Sequence, residues 1–251
     1  MTHVAGLLLP LSMAAAAGLV GSVAVMRRMA LASDALSHVA LPGIAIALLL
    51  HASPLLGGIL ALLLGTFLVW ALEYKTSIPT DVVVGVVFSA ALAIGSMLTS
   101  GEELLEALFG APSSPGPVDI VLGLMAAFLV IAFVLRWRSQ LVIRLVSPDL
   151  ACPAGINVSR IDLLYLLAFA ITIALGLRYL GVLLMGSLII IPAATAMRLG
   201  KNLRSMQMIS VAIAMLTTLS GTLLAPVLGL AGGPLTIAIA AGIFFASVAL
   251  R

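Results

Sequence analysis

The sequence contains very few charged residues and a single cysteine. Only 8% of its 251 residues are Asp, Glu, Lys or Arg, whereas 63% are hydrophobic and the mean hydropathy is +1.31. A water-soluble fold could not bury so large an apolar fraction, so we predict a polytopic integral membrane protein of the inner or plasma membrane. Because Cys152 is alone, the chain can form neither an intrachain disulfide nor a zinc site built from cysteines.

Several motifs of enzymes and nucleotide-binding proteins are also missing. Gly200 and Lys201 are followed by Asn202 and lack the upstream glycine of a P-loop, so we expect no nucleotide site of that kind in this chain. Neither H-E-x-x-H nor Gly-x-Ser-x-Gly occurs, which removes the usual machinery of an intramembrane protease or esterase. The net charge of +3 comes from basic residues scattered between apolar runs, so we expect no nucleic-acid partner.

The apolar runs are long enough to cross a bilayer, which takes about 20 residues per helix. We predict an all-α helical bundle with about nine (eight to nine) transmembrane helices in a single transmembrane domain, residues 1–251. The weakest division is the gap from Arg178 to Gly181. The first run is followed, not preceded, by basic residues, which favours a retained span over a secretory signal. The predicted spans cover residues 4–26, 30–50, 54–73, 82–100, 118–135, 161–177, 182–197, 206–225 and 235–250.

The basic residues predict an orientation. Threading nine spans alternately through a membrane leaves Arg178 alone on one side and all the other Lys and Arg residues on the opposite side. By the positive-inside rule the basic side is cytoplasmic, so the amino terminus lies outside and the carboxyl terminus is cytoplasmic. The basic side carries Arg27, Arg28, Lys75, Arg136, Arg138, Arg144, Arg160, Arg198, Lys201, Arg204 and Arg251.

Two segments outside the spans have a pattern of their own. The first contains Glu102, Glu103 and Glu106 on the outer side, and its spacing favours a short amphipathic helix that is either a solvated face or an acidic, cation-attracting mouth. The second begins at Ser147 with Pro148 and Asp149 and ends at Gly155, the signals of a short cytoplasmic helix. An ordinary loop fits the second segment equally well.

The strongest candidate site is the pair Asp34 and His38 in the second apolar run. A spacing of four residues stacks both side chains on one helix face, with Cβ atoms about 5–6 Å apart. Counted from Met29, His38 is the tenth helical residue, about 14 Å along the helix and near the middle of a core about 30 Å thick. An ionisable pair at that depth predicts a functional site. The alternative is that the two groups only hydrogen-bond and fix helix packing.

The donor types indicate which ligand this pair would accept. A carboxylate and an imidazole suit zinc, manganese or ferrous iron, and a site with few ligands suits a transported substrate rather than a permanently bound cofactor. Pro42 cannot donate to the carbonyl of His38, and Gly43 follows it, so we expect a kinked or broken helix there. Pro192 would free the carbonyl of Leu188 in the same way, either to line the pathway or only for packing.

Residues 33–43, with the sequence SDALSHVALPG, resemble the G-D-A-L-S-H-x-x-L-P-G signature of the permease subunits of ABC-type zinc, manganese and iron importers. The likeness continues in residues 81–89, 108–110, 181–186 and 192–196. Ser33 stands where the family usually has glycine. The resemblance implies a homodimeric pore, a cytoplasmic ABC ATPase subunit on each protomer and an extracytoplasmic metal-binding protein. It also implies that Asp34 and His38 contact the metal in transit and that the segment near Asp149 couples to the ATPase.

We therefore predict a permease that is not itself an enzyme and that moves a divalent transition metal into the cytoplasm by alternating access. ATP hydrolysis would take place in a separate partner subunit. Two alternatives remain open from the residues: a proton- or ion-coupled secondary metal transporter in which Asp34 and His38 relay protons, and a membrane scaffold that transports nothing. The sequence does not distinguish between the three metals.

Overall fold

The computed structural model describes residues 2–76, 78–98, 116–146, 157–179 and 182–249. All regular elements in this part of the chain are α-helices, which confirms the all-α prediction. In chain order they are α1 (Thr2–Met26), α2 (Ala32–Leu49), α3 (Pro54–Thr76), α4 (Thr80–Leu98), α5 (Pro117–Arg136), α6 (Arg138–Val146), α7 (Val158–Tyr179), α8 (Val182–Leu199), α9 (Leu203–Leu228) and α10 (Gly232–Ala249).

Eight of these helices are long and apolar enough to cross a membrane, which is the lower end of the predicted range. The remaining apolar helix, α8 (Val182–Leu199), corresponds to the seventh predicted span, residues 182–197. The nine predicted runs otherwise match the nine apolar helices closely, and the predicted division after Arg178 separates α7 from α8.

Local signals in the sequence explain where several helices begin and end. The side chain of Asn202 accepts a hydrogen bond from the backbone N–H of Ser205 at 2.8 Å and so caps α9, which ends at Gly229 in a left-handed conformation. Pro117 opens α5, where the Asp119 carboxylate accepts from the N–H of Gly116 at 3.1 Å. These caps satisfy backbone groups that a helix leaves free at its ends.

Helix α1 lies at the centre of the bundle and packs against α5, α7, α8 and α9. Helix α2 packs against α3, α4 and α8. The contact between α2 and α3 is close because glycines face each other across it. A methyl group at Gly43 would lie 2.5 Å from Cβ of Ala61, and one at Gly57 would lie 2.6 Å from Cβ of Ala47. Small residues allow two membrane helices to approach in this way.

The ends of α1, α3 and α6 and the beginning of α7 meet at one end of the bundle, which we call the basic end. Arg27 contacts Asp162 there, and the indole N–H of Trp70 donates to the carbonyl of Ser159 at 3.0 Å. The topology prediction placed these helix ends on one side of the membrane, and the bundle brings them together. The position of the termini relative to the membrane stays a prediction.

Several predicted features lie outside the described residues. They are the acidic segment with Glu102, Glu103 and Glu106, the proposed helix from Ser147 to Gly155, Cys152, and the motif at residues 108–110. These features therefore stay predictions.

Candidate metal site in the second helix

Asp34 and His38 lie one turn apart at the beginning of α2, as the spacing predicts. The Asp34 side chain is 55% exposed in the single chain, and that of His38 is 20% exposed. His38 Nε2 is 4.0 Å from Asp34 Oδ1. That separation is too long for a hydrogen bond. The two groups therefore share a helix face within ion-pair distance, without a hydrogen bond between them.

The pair lies nearer to the beginning of the helix than the sequence predicted. Arg28 has a φ of 60°, a left-handed conformation that interrupts the helical path after α1, and α2 begins only at Ala32. His38 is thus about 9 Å along α2 instead of 14 Å. Asp34 falls in the first turn of the helix, whose positive end favours a carboxylate.

The imidazole of His38 is held by packing and keeps one nitrogen unpaired. Its ring lies 5.7 Å from that of Phe88 in α4, with the two planes inclined at 52°. His38 Nδ1 is buried and has no hydrogen-bond partner among the described residues. A buried polar atom without a partner is costly, so this nitrogen is suited to a water molecule. Nε2, which lies 4.0 Å from Asp34 Oδ1, is the nitrogen placed to share a ligand with the carboxylate.

Asp34 lies directly against α8. A methyl group at Gly186 would be 3.3 Å from Asp34 Cα and 3.4 Å from Asp34 Oδ1, so a larger residue there would crowd the carboxylate. The fully buried Ser33 hydroxyl donates to the carbonyl of Ala30 at 3.0 Å and to that of Gly186 at 3.3 Å. Serine in place of the family's usual glycine is therefore accommodated. In the sequence, Gly186 belongs only to a weak apolar pattern and has no predicted role at the site.

Helix α2 continues through Pro42, so of the predicted kink or break the break does not occur, and a kink stays a prediction, since a proline there cannot donate to the His38 carbonyl. Helix α4 lies close to this point, since a methyl group at Gly95 would be 3.4 Å from Pro42 N. Pro192 is buried inside the equally continuous α8, six residues beyond Gly186. Helix α8 thus reaches the site through Gly186 rather than through its proline.

The distances fit a metal held by the two side chains after a small movement. Ligand atoms about 2.1 Å from a tetrahedral ion are about 3.4 Å apart, so Nε2 and Oδ1 would have to approach by roughly half an ångström. In the described part of the chain no group of three or more His, Cys, Asp or Glu side chains could hold a metal. Further ligands would come from water, from carbonyl oxygens or from another chain. His51 lies in the turn after α2, outside the site, and the side chain of His3 lies outside the described set.

Curated relatives are similar over most of this chain. The zinc uptake system membrane protein ZnuB of Haemophilus influenzae is 31% identical over 238 residues, which cover 92% of this chain and 90% of ZnuB. The manganese transport system membrane protein MntC of Listeria innocua is 28% identical over 232 residues, covering 91% of this chain and 83% of MntC.

Solved structures share the fold. PsaBC from Streptococcus pneumoniae in complex with Fab superposes with a TM-score of 0.81 at 25% identity, covering 96% of this chain and 89% of the matched chain. An inward-facing conformation of a putative metal-chelate type ABC transporter gives a TM-score of 0.77 at 19% identity, covering 99% and 86%, and supports the fold alone. The family profile described as the ABC 3 transport family matches residues 2–251, and the chain therefore belongs to that family.

Proposed function

We propose that this chain is the membrane-spanning permease subunit of an ATP-binding-cassette importer that carries zinc or manganese into the cytoplasm. The observation that carries the proposal is the match to the ABC 3 transport family over nearly the whole chain. The names of ZnuB and MntC support zinc and manganese as the transported metals. Iron is compatible with the same donors but has no support from these relatives.

Asp34 and His38 are the proposed metal ligands along the transport pathway. Their side chains lie on one face of α2 with Nε2 and Oδ1 4.0 Å apart, and neither satisfies the other. A carboxylate and an imidazole hold zinc or manganese, and two protein ligands bind the ion weakly enough to release it. The metal is cargo, so no permanently bound cofactor is part of the proposal.

The transport cycle requires partners. The sequence has no P-loop, so ATP hydrolysis belongs to a separate subunit, which we place at the basic end on the cytoplasmic side. An extracytoplasmic binding protein would deliver the metal at the opposite end. A homodimer would give the half-exposed Asp34 carboxylate a second chain to face, and the ligands that one chain lacks could come from there.

The proposal is tested by uptake into proteoliposomes. The chain is reconstituted with its ATPase subunit, with ATP trapped inside, and the metal-loaded binding protein and radioactive zinc or manganese are added outside. We expect uptake that requires ATP and persists when a protonophore removes the proton gradient. Uptake that does not require ATP and is lost when the protonophore is added would establish a secondary transporter instead.

A further inference from the structure

A buried carboxylate at the beginning of α7, Asp162, pairs with two arginines from different parts of the chain. Arg27 Nη2 lies 2.5 Å from Asp162 Oδ1, and Arg144 Nε lies 3.1 Å from Asp162 Oδ2. The side chains of Arg27 and Asp162 are 11% and 10% exposed, and that of Arg144 is 29% exposed. Asp162 therefore accepts one arginine on each of its carboxylate oxygens.

These three residues belong to segments with different tasks in the proposed importer. Arg144 in α6 and Asp162 in α7 lie on either side of residues 147–156, the connection that the sequence predicts on the cytoplasmic side. Arg27 lies in the turn between α1 and α2, seven residues before Asp34. One carboxylate thus joins both flanks of the cytoplasmic connection to the turn that leads into the metal-site helix.

The two halves of this network are not equally fixed. The Arg27 guanidinium also lies 4.5 Å from the ring centre of Tyr165, and the Tyr165 hydroxyl donates to the carbonyl of Val20 at 3.1 Å. The attachment of α1 to α7 is therefore supported by a second, independent contact. The Arg144 side chain has no hydrogen bond to any described residue other than Asp162, and it is the more exposed partner, so the Arg144–Asp162 bond is the less supported of the two.

The cost of burying charge favours a role beyond stability. Apolar residues of similar volume often stabilise a protein as well as a buried ion pair does, so such a pair is weak evidence for stability. An ion pair does provide what an apolar contact lacks, a direction-dependent bond with two discrete states, formed or broken. Two sites can be coupled through an element of that kind.

We propose that Asp162 is a positioning residue that couples α6 to the metal site. The ion pairs from Arg144 through Asp162 to Arg27 transmit movement of α6 to the α1–α2 turn and so to Asp34 and His38. This inference rests on the proposed function, because it assumes that the ATPase subunit acts on the basic end.

Arg144→Gln is the variant that tests the coupling, since it leaves the Arg27–Asp162 pair intact. Arg138→Gln removes a charge from the same helix at a residue with no ion pair in the described part of the chain, and is the matched control. In proteoliposomes we expect Arg144→Gln to lower zinc or manganese uptake about 5-fold or more, and to abolish the stimulation of ATP hydrolysis by the metal-loaded binding protein. Unstimulated ATP hydrolysis, metal affinity and the assembled fraction should equal those of Arg138→Gln. Arg144→Lys, which restores the charge, should recover most of the stimulation.

Three results would overturn the inference while the wild-type complex transports metal. Arg144→Gln could keep full uptake and stimulation; it could lose metal affinity or assembly in proportion to uptake, as a merely structural contact would; or an assembled Arg144→Lys variant could be as defective as Arg144→Gln. A wild-type complex without any uptake would contradict the proposed function, and this inference with it.

Discussion

Replacing Asp34 or His38 by alanine should lower ATP-driven uptake of zinc or manganese by at least about 10- to 100-fold. Changes to groups that only orient metal ligands already cost that much in affinity, and these two side chains are the proposed ligands themselves. With 4.0 Å between Nε2 and Oδ1, each side chain would hold one side of the same ion, so loss of either would leave a single ligand from this pair. Uptake of radioactive metal into proteoliposomes measures the effect.

The controls separate metal binding from folding. His51→Ala removes a histidine that lies in the turn after α2 and should leave uptake unchanged. Asp34→Asn keeps the shape of the side chain and removes its charge, so it should transport less than the wild type. If Asp34→Ala and His38→Ala, inserted and assembled normally, still accumulated metal at the wild-type rate, the site would have been placed wrongly.

Gly57→Val should prevent the α2–α3 hairpin from packing. A methyl group at this position would already lie 2.6 Å from Cβ of Ala47 and closer still to the carbonyl oxygen of Gly43. Backbone atoms cannot rotate away as a side chain can, so α3 would have to move off α2. Overpacking of this kind costs about 3 kcal/mol.

The assembled fraction after solubilisation and the midpoint of thermal unfolding measure this effect. Gly242→Val in α10 is the matched control, because a Cβ at Gly242 meets nothing within 4 Å. We expect a large loss of assembled protein for Gly57→Val and little change for Gly242→Val. An unfolding midpoint for Gly57→Val equal to that of the wild type would show that the hairpin packs less closely than described.

The helices could be predicted from the sequence because a bilayer imposes a simple requirement. A spanning helix needs a long apolar run, and Gly, Pro and charged residues mark its ends, so the predicted runs match the nine apolar helices.

The placement of the candidate pair on one helix face was predictable, and the surroundings of the pair were not. The four-residue spacing of Asp34 and His38 places them on one face of any helix. The beginning of that helix depends on the left-handed conformation of Arg28. An arginine rarely adopts this conformation, so its presence in the sequence does not predict it. The approach of Gly186 to Asp34 joins residues 152 positions apart in the chain, and spacing carries no information about such a contact.

The ion pairs of Asp162 with Arg27 and Arg144 could not be predicted from the sequence either. Arg27 and Arg144 were interpreted only as topology signals, and Asp162 was given no role. Their meeting depends on how α1, α6 and α7 are arranged at the basic end, with Asp162 between the two arginines. A positive-inside pattern reports the side of the membrane on which a charge lies and says nothing of its partner.

The central claim is that the metal passes between Asp34 and His38, and zinc X-ray absorption spectroscopy tests it most directly. The measurement uses the complex of this chain with its ATPase subunit, free of histidine tags and of the binding protein, loaded with zinc and compared with the His38→Ala variant. We predict a shell of nitrogen and oxygen ligands at about 2.0–2.2 Å that includes imidazole, and loss of the His38 imidazole contribution in the variant. Identical spectra from the wild type and from His38→Ala would contradict the account.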